Sequence, residues 1–378
     1  MQNVLEISNL VISKGLPCAI YSLPGEDKFT LVFQNTSKIQ NIEIIDIKST
    51  SGFIIADFES AQTGIAKVIK PENILNDCDN LENIVGFLSQ LPQNSYDNYS
   101  DNISISKQDY IDRTSFLISK LANNDLKKVV FSRIIPKKLS TELHIPSLLK
   151  LMRDKYPDAF INLFHLPGEG IWFGASPETL IRINGDTTYT DALAGTKSVD
   201  KENHDPIWTI KEKEEQRMVT LFIESLLSEL GVDKYDTSGH NTHIAGNVAH
   251  IQTKFKISTA SLINKEGRFI VGLHPTPAVC GLPKADAYLL IKKAEQHQRR
   301  YYTGFIGPWQ LKKTGKDDKI TSELFVNLRC AELGKTKINI YVGGGITAAS
   351  NPYDEYEETV HKSKTLLSVV ENLQKFAE

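Results

Sequence analysis

Three glutamates and two lysines have the spacing of a chemical site. In the run Asn351–Lys362, Glu355, Glu358 and Lys362 recur at i, i+3 and i+7, and Leu366, Val369 or Val370, and Leu373 continue the same helical face. Glu215 heads a similar stripe through Val219, Phe222 and Leu226. Carboxylates turned inward are costly unless a cation meets them. Two such helices meeting at one point would form an oxygen-only site, which favours magnesium or calcium over zinc. Spacing leaves a plainer alternative open, that acids in a first turn merely complement the helix macrodipole.

Other groups could complete such a site. Gly343, Gly344 and Gly345 stand just before the C-terminal helix, and tandem glycines permit a concave backbone nest for an anionic oxygen. Lys128, in LKKVVFSRIIP, shares a strand face with Val130, Ser132 and Ile134; a lysine there ordinarily snorkels from the strand end. Arg329, in ELFVNLRCAEL, is expected within a strand, where its planar fork suits a carboxylate of a ligand or of the core. His274 falls between an expected strand, RFIVGL, and a proline-stiffened turn. Glu178 follows a tight Gly-Ala-Ser-Pro turn and, taken alone, reads as a solvated turn residue.

The elements that must position these groups follow from pattern. CAIYSL, FTLVF, IEIID and GFIIADF read as strands, and residues 91–102 as a polar loop or linker. Helices are expected over 107–124, 145–155, 208–230 and 283–299, with AFINLFHL, YYTGFIGPW and TKINIYVGGGI as strands. IWFGASPETLIRI reads as a strand, a Gly-Ala-Ser-Pro turn and another strand, and TDALAGTKSVD as a strand running into a Gly-Thr turn. Asn351 and Pro352 fit an N-cap and a first helical position.

Composition is that of an ordinary globular protein. With 378 residues the chain can bury a large core, and a net charge of −3 gives no reason to expect a nucleic-acid or membrane-surface partner. Its four cysteines form no CxxC pair, the N-terminus lacks a signal-peptide pattern, and no apolar run is long enough to span a bilayer. A reduced, cytoplasmic location is the expectation.

The ordered set KKVVFSR, FGASPETL, ALAGT, KEKEEQRMV, LHPTPAVCG, YYTGFIG, FVNLRCAEL and GGGITAASNPYDEYEETVHK, over roughly residues 105–375, resembles the chorismate-utilising enzymes. That family includes isochorismate, salicylate, anthranilate and aminodeoxychorismate synthases. The resemblance implies an α+β fold of two large, mainly antiparallel sheets flanked by helices, with the site in a deep cleft. Residues 1–104 would be an N-terminal region contributing to the sheets, and 105–378 the chorismate-binding catalytic domain.

It also implies a magnesium-dependent enzyme. Glu215 and Glu358 would ligate the ion and Glu355 assist, with Gly343–Gly345 beside the ring carboxylate. Arg329 and Tyr302 would hold the enolpyruvyl carboxylate, while His274, Ala194, Gly195, Thr196 and Lys362 would belong to the substrate pocket. Water-adding members use a lysine base and a glutamic acid, matched by Lys128 and Glu178. Amine-adding members generally lack that lysine, and the aminodeoxychorismate type has a nucleophilic lysine where this chain has Ala194.

The implied activity is therefore that of an isomerase, isochorismate synthase, serving menaquinone or siderophore synthesis. Salicylate synthase is the first alternative and anthranilate synthase component I a weaker one. A monomer without an amidotransferase subunit is expected. Where the family has Arg-Gly, this chain has Arg299–Arg300, which calls for an adjusted turn; Gln216 replaces the family's histidine beside the metal glutamate.

Overall fold

The computed structural model describes residues 3–76, 81–94, 104–122, 126–198, 206–245, 248–312 and 320–375. Most of the expected 91–102 loop, and Cys78, lie outside the described residues. Cys18, Cys280 and Cys330 are buried free thiols.

Alternating and continuous apolar runs become strands of two antiparallel sheets. The first sheet runs from Gly281–Leu282 through Lys128–Lys138, Lys337–Ile346, Cys330–Leu333, Gly170–Ser176, Phe160–Leu166, Cys18–Ser22 and Thr30–Phe33 to Asn73–Asn76. The second includes Thr179–Asn184, Thr187–Ser198, Val248–Ser258, Ile320–Val326, Phe305–Trp309 and Gly52–Ala56. Strands from the first hundred residues join both sheets. Cys18–Ser22 pairs with Phe160–Leu166, and Gly52–Ala56 pairs with Phe305–Trp309.

Because each sheet is apolar on both faces, each needs a cover on both. One core lies between the sheets, where Tyr21, Phe160 and Phe164 of the first meet Phe53, Ile306 and Phe325 of the second. The Phe160 and Phe325 rings stack there at 4.1 Å, and burying each ring contributes roughly 2–3 kcal/mol. The outer face of the first sheet is covered by helices Val4–Ser13, Ile145–Lys155 and Pro352–Lys375. On the second sheet, Ile210–Glu229 and Glu266–Leu273 do the same. Helices Lys107–Ala122 and Lys284–Ala294 close over Val129 and Phe131.

Several expectations change. IEIID is a strand only to Glu43 and then enters a 3-10 helix, Ile44–Ser49; YYTGFIGPW is a strand only from Phe305; and the Gly-Ala-Ser and Gly-Thr turns lie within strands Gly170–Ser176 and Thr187–Ser198. RFIVGL lies in a helix, Glu266–Leu273, not a strand. A short apolar run fits either period, and the helix is favoured by close packing, since a Cβ on Gly267 would fall 2.3 Å from the Ile45 carbonyl oxygen. The helix expected over 283–299 ends at Ala294. ELFVNLRCAEL is not one strand; it splits into Ile320–Val326 in the second sheet and Cys330–Leu333 in the first. Arg329 sits at this crossover with φ of 47°. A left-handed backbone is unfavourable for a residue with a Cβ, and it ends the strand pattern there.

Candidate active site

The crossover places Arg329 at a cavity of about 120 Å³, roughly ten times the space one water requires. Lys128 and Val130 form one wall, and the adjacent strand brings Gly343, Gly344 and Gly345 opposite Ser132, Phe131 and Val130. The second sheet adds Leu193, Ala194, Gly195 and His250, and the link from first-sheet strand Gly170–Ser176 to second-sheet strand Thr179–Asn184 adds Pro177 and Glu178. Helix Ile210–Glu229 supplies Glu212 and Glu215, and helix Pro352–Lys375 supplies Glu355, Glu358 and Lys362. Asn351 fixes the start of the latter, its Oδ1 accepting from the Tyr353 N–H at 2.9 Å.

The three glycines are not a nest. They are the extended end of strand Lys337–Ile346, and none has positive φ. Their role is room. A Cβ on Gly345 would lie 2.6 Å from Lys128 Cε and 3.4 Å from Glu215 Oε1, and one on Gly344 would lie 3.2 Å from Glu355 Oε2.

Charge is distributed unevenly around the cavity. Lys128 Nζ is 2.5 Å from Glu215 Oε1, and Lys362 Nζ is 2.5 Å from Glu358 Oε1 while donating to the Gly343 carbonyl at 3.0 Å. Among the described residues Glu178 has no such close cation. Burial lifts its carboxyl to about 7, against smaller lowering effects from the Thr276 hydroxyl, which donates at 3.3 Å, and from Lys128. Glu178 is therefore a buried acid, not a solvated turn residue. Burial also opposes the charge of Arg329, and among the described residues no carboxylate forms an ion pair with it. A cationic fork held in this way at a cavity wall favours an incoming carboxylate.

His274 does not line the cavity. Its Nε2 lies 3.2 Å from the Asp57 carbonyl and its ring packs edge-on against Phe305, so it joins the packing beneath the site. Burial and nearby Lys284 push its imidazole down to about 3. The helical course of RFIVGL turns it away from the position expected of a strand end. The side chain of Thr196 lies outside the described residues. Sequence reasoning missed His250, whose Nδ1 is 2.9 Å from the Gly195 carbonyl, and Glu212, one turn before Glu215. The i−3 spacing of Glu212 was a usable signal; His250 offered none, because it lies 55 residues from Gly195 along the chain.

At the Arg299–Arg300 departure, Arg300 takes up the left-handed turn itself, with φ of 49°. Its guanidinium pairs with buried Glu332 and donates to the Glu169 carbonyl at 2.7 Å, which offsets the backbone strain.

Glu215, Glu355 and Glu358 suit a hard divalent cation by donor chemistry, and they face glycines that leave space beside them. Among the described residues, though, no three such side chains converge tightly enough to form a metal cage. Two of the three are held by lysines.

The family profile described as "Chorismate binding enzyme" matches residues 56–371, well over half of the chain. This protein belongs to the chorismate-binding enzymes.

Over 272 residues the chain is 28% identical to the vibriobactin-specific isochorismate synthase of Vibrio cholerae serotype O1, covering 70% of this chain and 67% of that protein. It is 30% identical over 257 residues to isochorismate synthase EntC of Escherichia coli (strain K12), covering 66% and 63%. The match thus spans about two thirds of these relatives' length. A crystal structure described as a 2,3-dihydroxybenzoate-specific isochorismate synthase, DhbC, from Bacillus anthracis superposes with a TM-score of 0.76 at 20% identity, over 96% of this chain and 98% of that one. The menaquinone-specific isochorismate synthase MenF of Escherichia coli gives 0.73 at 18%, over 96% and 90%. These likenesses establish that this chorismate-binding enzyme has the two-sheet α+β fold expected from its motifs. Among the described residues no helix is long and apolar enough to cross a membrane.

Proposed function

We propose that this chorismate-binding enzyme is an isochorismate synthase, converting chorismate to isochorismate by adding water at C2 as the C4 hydroxyl leaves. The observation that carries the reading is the pairing of Lys128 and Glu178 at one cavity, an amine beside one wall and a carboxyl lifted to about 7 on another. Water addition needs a base and an acid at once. Lys128 takes the proton of the attacking water, and Glu178 gives its proton to the departing hydroxyl. Proton count and atoms balance, so the reaction is an isomerisation.

Arg329 holds one substrate carboxylate, with the Tyr302 hydroxyl beside it at the same cavity. Glu215, Glu355 and Glu358 would hold magnesium, which supplies a Lewis-acid anchor for the ring carboxylate. As a base, Lys128 must turn its amine lone pair toward the attacking water, and in this structure the amine is engaged by the Glu215 carboxylate at 2.5 Å. The reading therefore requires the Lys128–Glu215 contact to loosen in the loaded enzyme. Relatives named for vibriobactin and for menaquinone both support the reading, and it chooses neither route. Ala194, where a nucleophilic lysine would favour amine chemistry, supports water as the nucleophile and a chain acting without an amidotransferase subunit.

The test is incubation of the purified protein with chorismate and magnesium, followed by chromatographic identification of the product. Isochorismate is expected. Salicylate with pyruvate, or an ammonium-dependent amino product, would overturn the assignment.

A further inference from the structure

Tyr110 takes no part in the mechanism above, and its position in the Lys107–Ala122 helix reads in the sequence only as part of an apolar stripe. In the structure its ring is fully buried and fixed. It stacks on Phe131 at 4.9 Å, meets Tyr356 edge-on at 5.6 Å, and lies 5.8 Å from the Arg133 guanidinium. Its hydroxyl is buried and has no hydrogen-bond partner among the described residues. Leaving a hydroxyl in this state costs about 1–3 kcal/mol. A phenylalanine would fill the same volume without that cost.

The hydroxyl points to the glycine run. It lies 3.9 Å from the place a Cβ on Gly344 would occupy, and Glu355 Oε2 and Glu358 Oε1 lie 3.2 Å and 3.9 Å from the same place. Oxygens from two helices thus surround a spot that only glycine leaves empty. After burial, Glu355 and Glu358 are the strongest influences raising the Tyr110 phenol above its ordinary value, in keeping with this proximity.

We propose that Tyr110 is a positioning residue of the cation subsite. With a divalent ion bound, its hydroxyl donates to the Glu355 carboxylate, directly or through one water, and fixes which oxygen that carboxylate turns toward the ion. The inference rests on the magnesium reading above. The donor itself is already fixed by its ring packing before the ion arrives, so only the Glu355 carboxylate has to turn on binding, which reduces the ordering cost.

The test is a titration of Mn2+ into the full chain in the presence of chorismate, followed by electron paramagnetic resonance. Wild type, Tyr110→Phe, Glu355→Gln and the double variant are compared, with thermal melting as the control for folding. Tyr110→Phe is expected to weaken Mn2+ binding three- to tenfold at an unchanged or higher melting temperature. In the Glu355→Gln background the same change should add less than about 1.5-fold, because the hydroxyl acts through that carboxylate. Equal affinities for wild type and Tyr110→Phe, or the same loss in both backgrounds, would overturn the role of Tyr110 alone. A wild-type chain that binds no Mn2+ would instead bring down the magnesium reading, and this inference with it.

Discussion

Glu178 and Glu215 line the same cavity with the same side chain, yet their surroundings fit them for opposite work. Glu215 projects from a helix and meets the Lys128 ammonium at 2.5 Å. Glu178 lies in a turn between two strands, 5% exposed, and among the described residues only the Thr276 hydroxyl donates to its carboxyl directly. Burial with little compensation favours the neutral acid at Glu178, whereas Glu215 is engaged in an ion pair. The cavity thus separates a proton-donating region, at the link between the two sheets, from an anionic region where two helices and the glycine strand meet. Chemical role here follows from what each glutamate is packed against.

The largest effect should come from removing the two proton-transfer groups. Glu178→Gln and Lys128→Ala should each lower kcat by about 10³-fold or more, since a positioned acid or base is worth about 10²–10⁴. Circular dichroism and melting should show a folded protein in both cases. If either variant keeps turnover within tenfold of wild type, the division between donor and anionic regions fails.

The next effect concerns stability and follows the same contrast. The folded-state pKa of Glu178 is raised from 4.5 to about 7 by burial, so the folded chain binds the extra proton between those values. Its contribution is full below about pH 4.5 and is lost as pH rises through about 7. The shift corresponds to roughly 3 kcal/mol at most. Glu178→Gln should therefore gain stability relative to wild type on going from pH 4.5 to pH 8, measured by urea unfolding at each pH. A constant difference across that range would show that Glu178 is ionised in the folded protein. In the wild-type enzyme, kcat/KM should fall above about pH 7 as the acid of the free enzyme loses its proton.

Arg329 offers a smaller test of the second carboxylate. Lysine keeps the charge but loses the planar fork. Arg329→Lys should raise the KM for chorismate about 10- to 100-fold, in line with about 1.5–3 kcal/mol for a hydrogen bond to a charged group. A change in kcat without a change in KM would place substrate elsewhere.

How much of this was legible before the fold depended on how far each feature reaches along the chain. Glu215, Glu355, Glu358 and Lys362 were visible because helical period alone turns them toward an apolar face, and that information lies within a dozen residues. Lys128 was visible through strand period for the same reason. The burial of Glu178 was not, because it depends on Thr276, almost a hundred residues later. Arg329 was seen as a residue but misplaced, since nothing local marks the crossover between sheets inside an apolar run. The glycines were recognised for their backbone freedom, whereas the structure uses them for space, a distinction that only the neighbouring strand and the facing carboxylates make.

That distinction allows the cavity to be perturbed one side at a time. Because Gly344 and Gly345 are extended, with φ outside the left-handed region, alanine fits the backbone at both positions and only the new Cβ matters. At Gly344 it would press on Glu355 Oε2 at 3.2 Å, and at Gly345 on Lys128 Cε at 2.6 Å. Gly344→Ala should then weaken cation affinity by up to about tenfold, or about 1.4 kcal/mol, with a smaller effect on kcat at saturating metal. Gly345→Ala should displace the flexible end of Lys128 and act mainly on kcat. A magnesium titration of initial rates for both variants separates the two outcomes. If both act on the same parameter, the base and the cation subsite are one mechanical unit, and the two regions inferred from Glu178 and Glu215 need a different boundary.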